Sequence, residues 1–181
     1  TFASWQAATQ RHQAAVLKTS IEILRRLKYR PTGGFALFHL ADAHRAISHS
    51  LLGHDRRPKP AFRTVVDACR PVVVVADPMP SRAIPGDEIA LDVHAISDRR
   101  KAISLAQIKA VLDVGGTRST WVFEGELPAD SVVLVGQVSW PTPSTDTEVV
   151  LDLELPSNDA PATNRYHAVI RSATTLADGE R

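Results

Sequence analysis

Gly33-Gly34-Phe35-Ala36-Leu37-Phe38-His39-Leu40-Ala41-Asp42 is the stretch whose reading decides the fold. Two glycines release the backbone from the preceding segment, and an apolar run follows at once and ends on an acid. A run without polar alternation predicts a buried parallel strand over Phe35 to Leu40, with its chemistry gathered just past the C-terminal end. Beyond it a polar, histidine-rich loop leads to Arg56-Arg57-Pro58-Lys59-Pro60, where a proline can open a helix.

Working outward, residues 4–29 read as one long helix. Trp5, Ala8, Ala15 or Val16, Ile23 and Leu27 recur at three- to four-residue steps. Ser4 suits the N-cap, and Arg25, Arg26 and Lys28 suit the negative end of the dipole. Pro31 and the glycine pair stop it. Downstream, a helix from Pro58 or Pro60 to about Cys69 gathers Phe62, Val65, Val66 and Cys69 on one face. Helix, strand, helix is a single unit of an α/β fold, and one parallel strand alone leaves two open edges.

At Pro71 the texture changes. Val72-Val73-Val74-Val75 precedes a proline-rich bend, and then alternation sets in: Ile89, Leu91, Val93 and Ala95 share one face, Asp92 and His94 the other. Further strands are expected at Ile108–Val114, Thr120–Glu126, Val132–Val138, Glu148–Leu155 and Arg165–Arg171. Turn chemistry separates them at Pro85-Gly86-Asp87, Gly115-Gly116, Pro128-Ala129-Asp130 and Pro156-Ser157-Asn158-Asp159. About seven short strands at this spacing predict a two-sheet, immunoglobulin-like sandwich over residues 71–181. Its last residues, Thr174 to Arg181, have no periodicity and are expected to fray.

The bulk chemistry excludes several partners. With 21 basic and 20 acidic residues the net charge is +1, which supports neither nucleic-acid binding nor attachment to an anionic membrane. No apolar run approaches the roughly 20 residues that span a bilayer. The only cysteine, Cys69, cannot form an intrachain disulfide and reads as a small core residue. No motif calls for a cofactor.

His39, His44, His49 and His54 fall at five-residue intervals, with Asp42 and Asp55 among them. An odd spacing sends successive members of an extended segment to opposite faces, which argues against a metal site and for histidines at the mouth of a pocket. Ser48, His49 and Asp42 can be written as a triad, but no nucleophile-elbow glycine pattern surrounds the serine. Arg56, Arg57 and Lys59 lack the glycine-rich flank of a phosphate site. In the β half, Trp121 and Phe123 share a face and read as core aromatics.

Residues 24–71 resemble the end of the catalytic barrel in glycoside hydrolase family 2, in its β-mannosidase branch. Carrying the resemblance are Leu27-Lys28-Tyr29-Arg30-Pro31-Thr32-Gly33-Gly34-Phe35, Phe38-His39-Leu40-Ala41-Asp42, Ile47-Ser48-His49-Ser50 and Arg57-Pro58-Lys59. It implies an α+β chain: residues 1–70 would be the last helix-strand-helix unit of a (β/α)8 TIM barrel, and 71–181 a C-terminal immunoglobulin-like β-sandwich packed on the parent barrel. The family commonly has Trp, Gln and Asn where this chain has Phe38, His39 and Ala41, and often Trp at His44 and His49; Asp42 is retained.

The resemblance further implies a retaining exo-glycosidase acting on terminal β-D-mannose, with Phe38, His39, Asp42, His44 and His49 lining the substrate pocket. Such enzymes need two carboxyls roughly 5 Å apart. Asp42 is the only acid at the strand end, so acid/base and nucleophile are expected upstream of Thr1, and no catalytic residue within these 181. The missing initiator Met fits that expectation. The alternative is a non-catalytic β-sandwich module that binds carbohydrate or another partner; a carbohydrate-binding face would require exposed, coplanar aromatics on the sandwich.

Overall fold

Thr1 caps the first helix, α1 (Phe2–Arg26), three residues ahead of the expected Ser4. The two residues form a capping box, with Thr1 Oγ1 accepting from Ser4 N at 3.2 Å. A second helix, α2 (Pro60–Ala68), begins with proline at its first position, where the missing N–H costs nothing. The computed structural model describes residues 1–157 and 160–173. Its chain forms two units, Thr1–Arg70 and Pro71–Arg181. The tail expected to fray, and Asn158-Asp159 of one expected turn, lie outside the described residues.

In the first unit the two helices pack on each other, and Arg25 explains part of that packing. Its guanidinium is buried and donates to the Ala68 carbonyl at 2.6 Å, so it neutralises the negative end of α2 rather than only its own helix. Ile21 and Ala61 fill the contact. The expected apolar face of α1 is not covered in full: Trp5 is 48% exposed, and Val16 and Leu27 are also open. On α2, Phe62 and Val65 are half-buried but Val66 is exposed. Cys69, expected in the core, is exposed as the C-cap of α2, because the helix turns its Ala61 and Ala68 face inward instead.

The strand expected over Phe35 to Leu40 is not formed. These residues run without a ladder partner, and Phe35, Leu37, Phe38 and Leu40 are exposed. A strand exists only by pairing with a neighbour, and the described residues of this unit supply none for that run. Pairing begins where it ends, with isolated bridges from Ala41 to Leu52 and from Leu52 to Pro58.

The second unit is a two-sheet sandwich. One sheet has the order β1 (Val72–Ala76), β3 (Glu88–Ser97), β6 (Ser131–Pro141). The other has the order β2 (Arg82–Ala83), β8 (Ala162–Ser172), β7 (Thr147–Leu155), β4 (Ile103–Val114), β5 (Thr117–Leu127). Every expected strand of this half is present, and the two-residue β2 is added inside the proline-rich bend, parallel to β8. Inward residues at alternate positions make one core: Ile89, Leu91, Val93 and Ala95 from β3 meet Ile108, Ala110 and Leu112 from β4 and Val149, Leu151 and Leu153 from β7. Each fully buried Leu or Ile contributes about 1.5–3 kcal/mol. Trp121 and Phe123 pack against this core half-buried, and Trp140 is buried within it.

β1 is buried on both faces, with Val73 and Val75 joining Ile96 and Val132 in a second apolar cluster. Its unpaired edge is closed by side chains from the opposite sheet. Asn164 Nδ2 donates to Val74 O at 2.9 Å, and Ala76 N donates to the Tyr166 hydroxyl at 3.0 Å. These bonds satisfy backbone groups that would otherwise offer an open edge.

Candidate functional site

The loop from Phe38 to Lys59 is organised by short backbone rungs. Leu51 N and Leu52 N donate to Leu40 O at 3.1 and 2.8 Å, Asp42 N to Leu52 O at 3.1 Å, and Lys59 N to Leu51 O at 2.9 Å. Three separate segments are thereby laid side by side, and the rungs bring Asp42 and Lys59 together. Lys59 Nζ lies 3.1 Å from Asp42 Oδ2, and the two side chains are only 10% and 4% exposed.

Two serines complete the network. The Ser48 hydroxyl donates to Asp42 Oδ1 in a short hydrogen bond. Lys59 Nζ donates to Ser50 Oγ at 2.7 Å and to Ser48 O at 3.2 Å. Ser50 N donates to Ser48 Oγ at 3.0 Å, and Ser50 Oγ to Leu52 O at 2.8 Å. The Ser48 hydrogen bond above all, then Lys59 and Ser50, holds the Asp42 carboxyl well below the usual carboxylate range, against the upward pull of burial. Asp42 is therefore an anion fixed by protein groups on both oxygens. Its side chain faces inward, where Lys59 supplies the countercharge that burial demands.

Above this pair sit three rings. Phe38 and His39, joined by a cis peptide, have ring centroids 5.0 Å apart, and His49 lies 5.9 Å from Phe38 and 5.3 Å from His39. Phe38 is 81% exposed. His39 Nε2 lies 3.6 Å from Asp42 Oδ1, and its Nδ1 is buried with no hydrogen-bond partner among the described residues. Gln13 of α1 donates to His49 O at 2.6 Å and Ser50 O at 3.2 Å, tying the loop to the helix. Of the five expected pocket residues, the structure thus brings Phe38, His39 and His49 together, with His39 beside Asp42. His44 is exposed and takes no part in the ring cluster. Among the described residues, no group of three or more His, Cys, Asp or Glu could hold a metal ion.

Lys59 and the two serines are the partners that sequence reasoning missed. The signal was present at Lys59. It is the N-cap of α2, and a cation there opposes the positive end of the helix dipole, so a nearby anion is needed to explain it. Ser48 could not be assigned in advance, because its hydroxyl donates to a carboxylate six residues away through a loop of irregular path. That donation also removes the paper triad: the hydroxyl is spent on Asp42 and not on a histidine. Chemically, the loop offers an exposed aromatic face with two imidazoles beside it on a locked base. That combination suits stacking and hydrogen bonding to a polar ring. One carboxylate does not suffice for glycoside hydrolysis.

No family model matches the sequence, and none of the curated proteins matches it. Solved structures do match. The exo-chitosanase CsxA of Amycolatopsis orientalis superposes with a TM-score of 0.67 over 87% of this chain, at 15% identity. The same enzyme in complex with PNP-beta-D-glucosamine gives 0.65 at 16% identity, and bound to a glucosamine-configured castanospermine inhibitor 0.64 at 16%. In each case the chain spans only 18% of the enzyme's length. Residues 71–181 are fewer than two thirds of the chain, so a match over 87% draws on the first unit as well as the sandwich. At this identity the likeness establishes a shared fold: a mixed α+β chain, mostly sheet, with two helices and a β-sandwich.

Proposed function

We propose that these residues form the C-terminal portion of a retaining exo-glycosidase related to glycoside hydrolase family 2, of its β-mannosidase branch. In this reading residues 1–70 close the catalytic barrel and 71–181 are the sandwich that packs on it. The carrying observation is the likeness to an exo-acting glycosidase that draws on both units of the chain. The exposed run Phe35 to Leu40 supports the same reading, since an apolar segment without strand neighbours needs neighbours from elsewhere in a barrel. The ring cluster of Phe38, His39 and His49 then faces the sugar, and Asp42 with Lys59 holds those rings in place. The acid/base and nucleophile belong to earlier barrel strands.

The substrate is a terminal β-D-mannoside in this proposal, and a β-glucosaminide is the nearest competitor because that is the sugar configuration bound by the similar enzyme. Assaying the longer gene product on aryl β-mannoside, β-glucosaminide and β-galactoside separates them. Preferred turnover of the mannoside supports the branch. Preferred turnover of another sugar keeps the glycosidase and rejects the branch. His39→Ala in that protein should lower kcat/KM by about tenfold or more, the worth of one hydrogen bond to a polar substrate group. The carbohydrate-binding form of the alternative lacks its required feature: Trp121, Phe123, Trp140 and Tyr166, which are all the aromatics of the sandwich, belong to or pack against its core.

A further inference from the structure

Within the sandwich, a groove of about 520 Å³ opens beside the start of β3, walled by the segment that runs from Asp77 to Asp87. Its frame is rigid. Ile84-Pro85-Gly86-Asp87 makes a turn in which Asp87 N donates to Ile84 O at 3.1 Å, and Gly86 takes a φ of +86°. The turn is fastened to Thr142 twice, by Gly86 N to Thr142 O at 3.1 Å and by Thr142 N to Asp87 O at 2.8 Å. Thr142 lines the groove and is only 5% exposed, yet its Oγ1 has no hydrogen-bond partner among the described residues. A hydroxyl left so at a groove wall is a polar group without a match, and a ligand polar group can supply one.

The remaining lining combines two chemistries. Pro78, Ile84 and Leu91 are apolar, while Asp87 and Glu88 are exposed carboxylates. Asp77 adds a third negative charge, with Oδ2 accepting from Asp92 N at 3.1 Å. Among the described residues, no basic side chain lines the groove. A metal ion is not the natural occupant, because no three acidic or histidine side chains among the described residues converge on one point. Among the described residues no aromatic lines it either, so they offer no platform for a sugar ring.

We propose that this groove binds a linear alkylammonium ligand, a diamine or polyamine, independently of the glycosidase reading. Its methylenes lie along Pro78, Pro80 and Ile84, and an ammonium group sits between the Asp87 and Glu88 carboxylates and donates to Thr142 Oγ1. The carboxylates set charge selectivity, and the hydroxyl sets position.

Calorimetric titration of the chain with spermine at low ionic strength tests this. The expected result is saturable 1:1 binding, weakened by high salt and weakened at least about fivefold by Thr142→Val and by the Asp87→Asn, Glu88→Gln pair. Thr142→Val keeps the side-chain shape and removes an unpartnered hydroxyl, so its Tm should hold or rise, which separates lost binding from lost folding. Absence of saturable binding at millimolar spermine overturns the proposal, as does binding that neither variant weakens. A lysine tripeptide that binds where spermine does not would show that the groove takes a protein side chain, and would overturn it too.

Discussion

Asp42 and Lys59 fix the loop in which every expected pocket residue lies. Removing one member of a buried pair leaves the other charged and unmatched, so Lys59→Met should destabilise the first unit more than any exposed substitution in the same loop. Chemical denaturation followed by circular dichroism will show this as a lower midpoint. The pH dependence has a definite sign. The folded Asp42 carboxyl titrates below its unfolded value of about 3.9, so its contribution is fully present above that value and is lost as pH falls towards the folded one. Acid unfolding should therefore steepen below about pH 4, and Asp42→Asn should flatten that limb. An acid limb identical in wild type and variant would remove the carboxylate from the account. The sequence showed which residues cluster here but not which face inward. Asp42 was legible as the acid that ends an apolar run, but its burial depends on a lysine seventeen positions later.

At the scale of elements, the sandwich was legible and the first unit much less so. The strands of residues 71–181 announce themselves because each has one wet and one dry face and turn residues at both ends, as Glu88–Ser97 does. Phe35–Leu40 carried an equally clear apolar signal, but a strand's existence depends on its neighbours and not on its own residues. Two side chains of the sandwich illustrate what alternation cannot reveal. Tyr166 closes the β1 edge across the sheets, so Tyr166→Phe leaves the Ala76 N–H without its acceptor and should cost about 1–3 kcal/mol. Gly136 opposes Phe123 so closely that an added Cβ would overlap the phenyl ring. Gly136→Ala should cost about 1–3 kcal/mol by overpacking. Combining it with Phe123→Leu should recover part of that loss, since neighbouring substitutions are not additive. Equilibrium denaturation of the single and double variants measures both effects, and strict additivity would contradict the stated clash.

For the whole molecule, two independent lines meet in one proposal. One is a set of motifs from Leu27 to Lys59 that resembles the closing segment of a glycosidase barrel; the other is a fold shared with an exo-chitosanase of which this chain spans 18%. The proposal puts the chemistry elsewhere, since a retaining mechanism needs a carboxyl pair and the loop offers one buried, neutralised Asp42. On the proposed reading the ring cluster would supply substrate contact without catalysis, through Phe38, His39 and His49. The most direct measurement compares hydrolysis of an aryl β-mannoside by residues 1–181 alone and by the longer protein that the proposal requires, with the product anomer followed by NMR. The account predicts no turnover by the 181-residue chain, and turnover with retained configuration by the longer protein. Hydrolysis by the 181 residues on their own, or inversion by the longer protein, would contradict it.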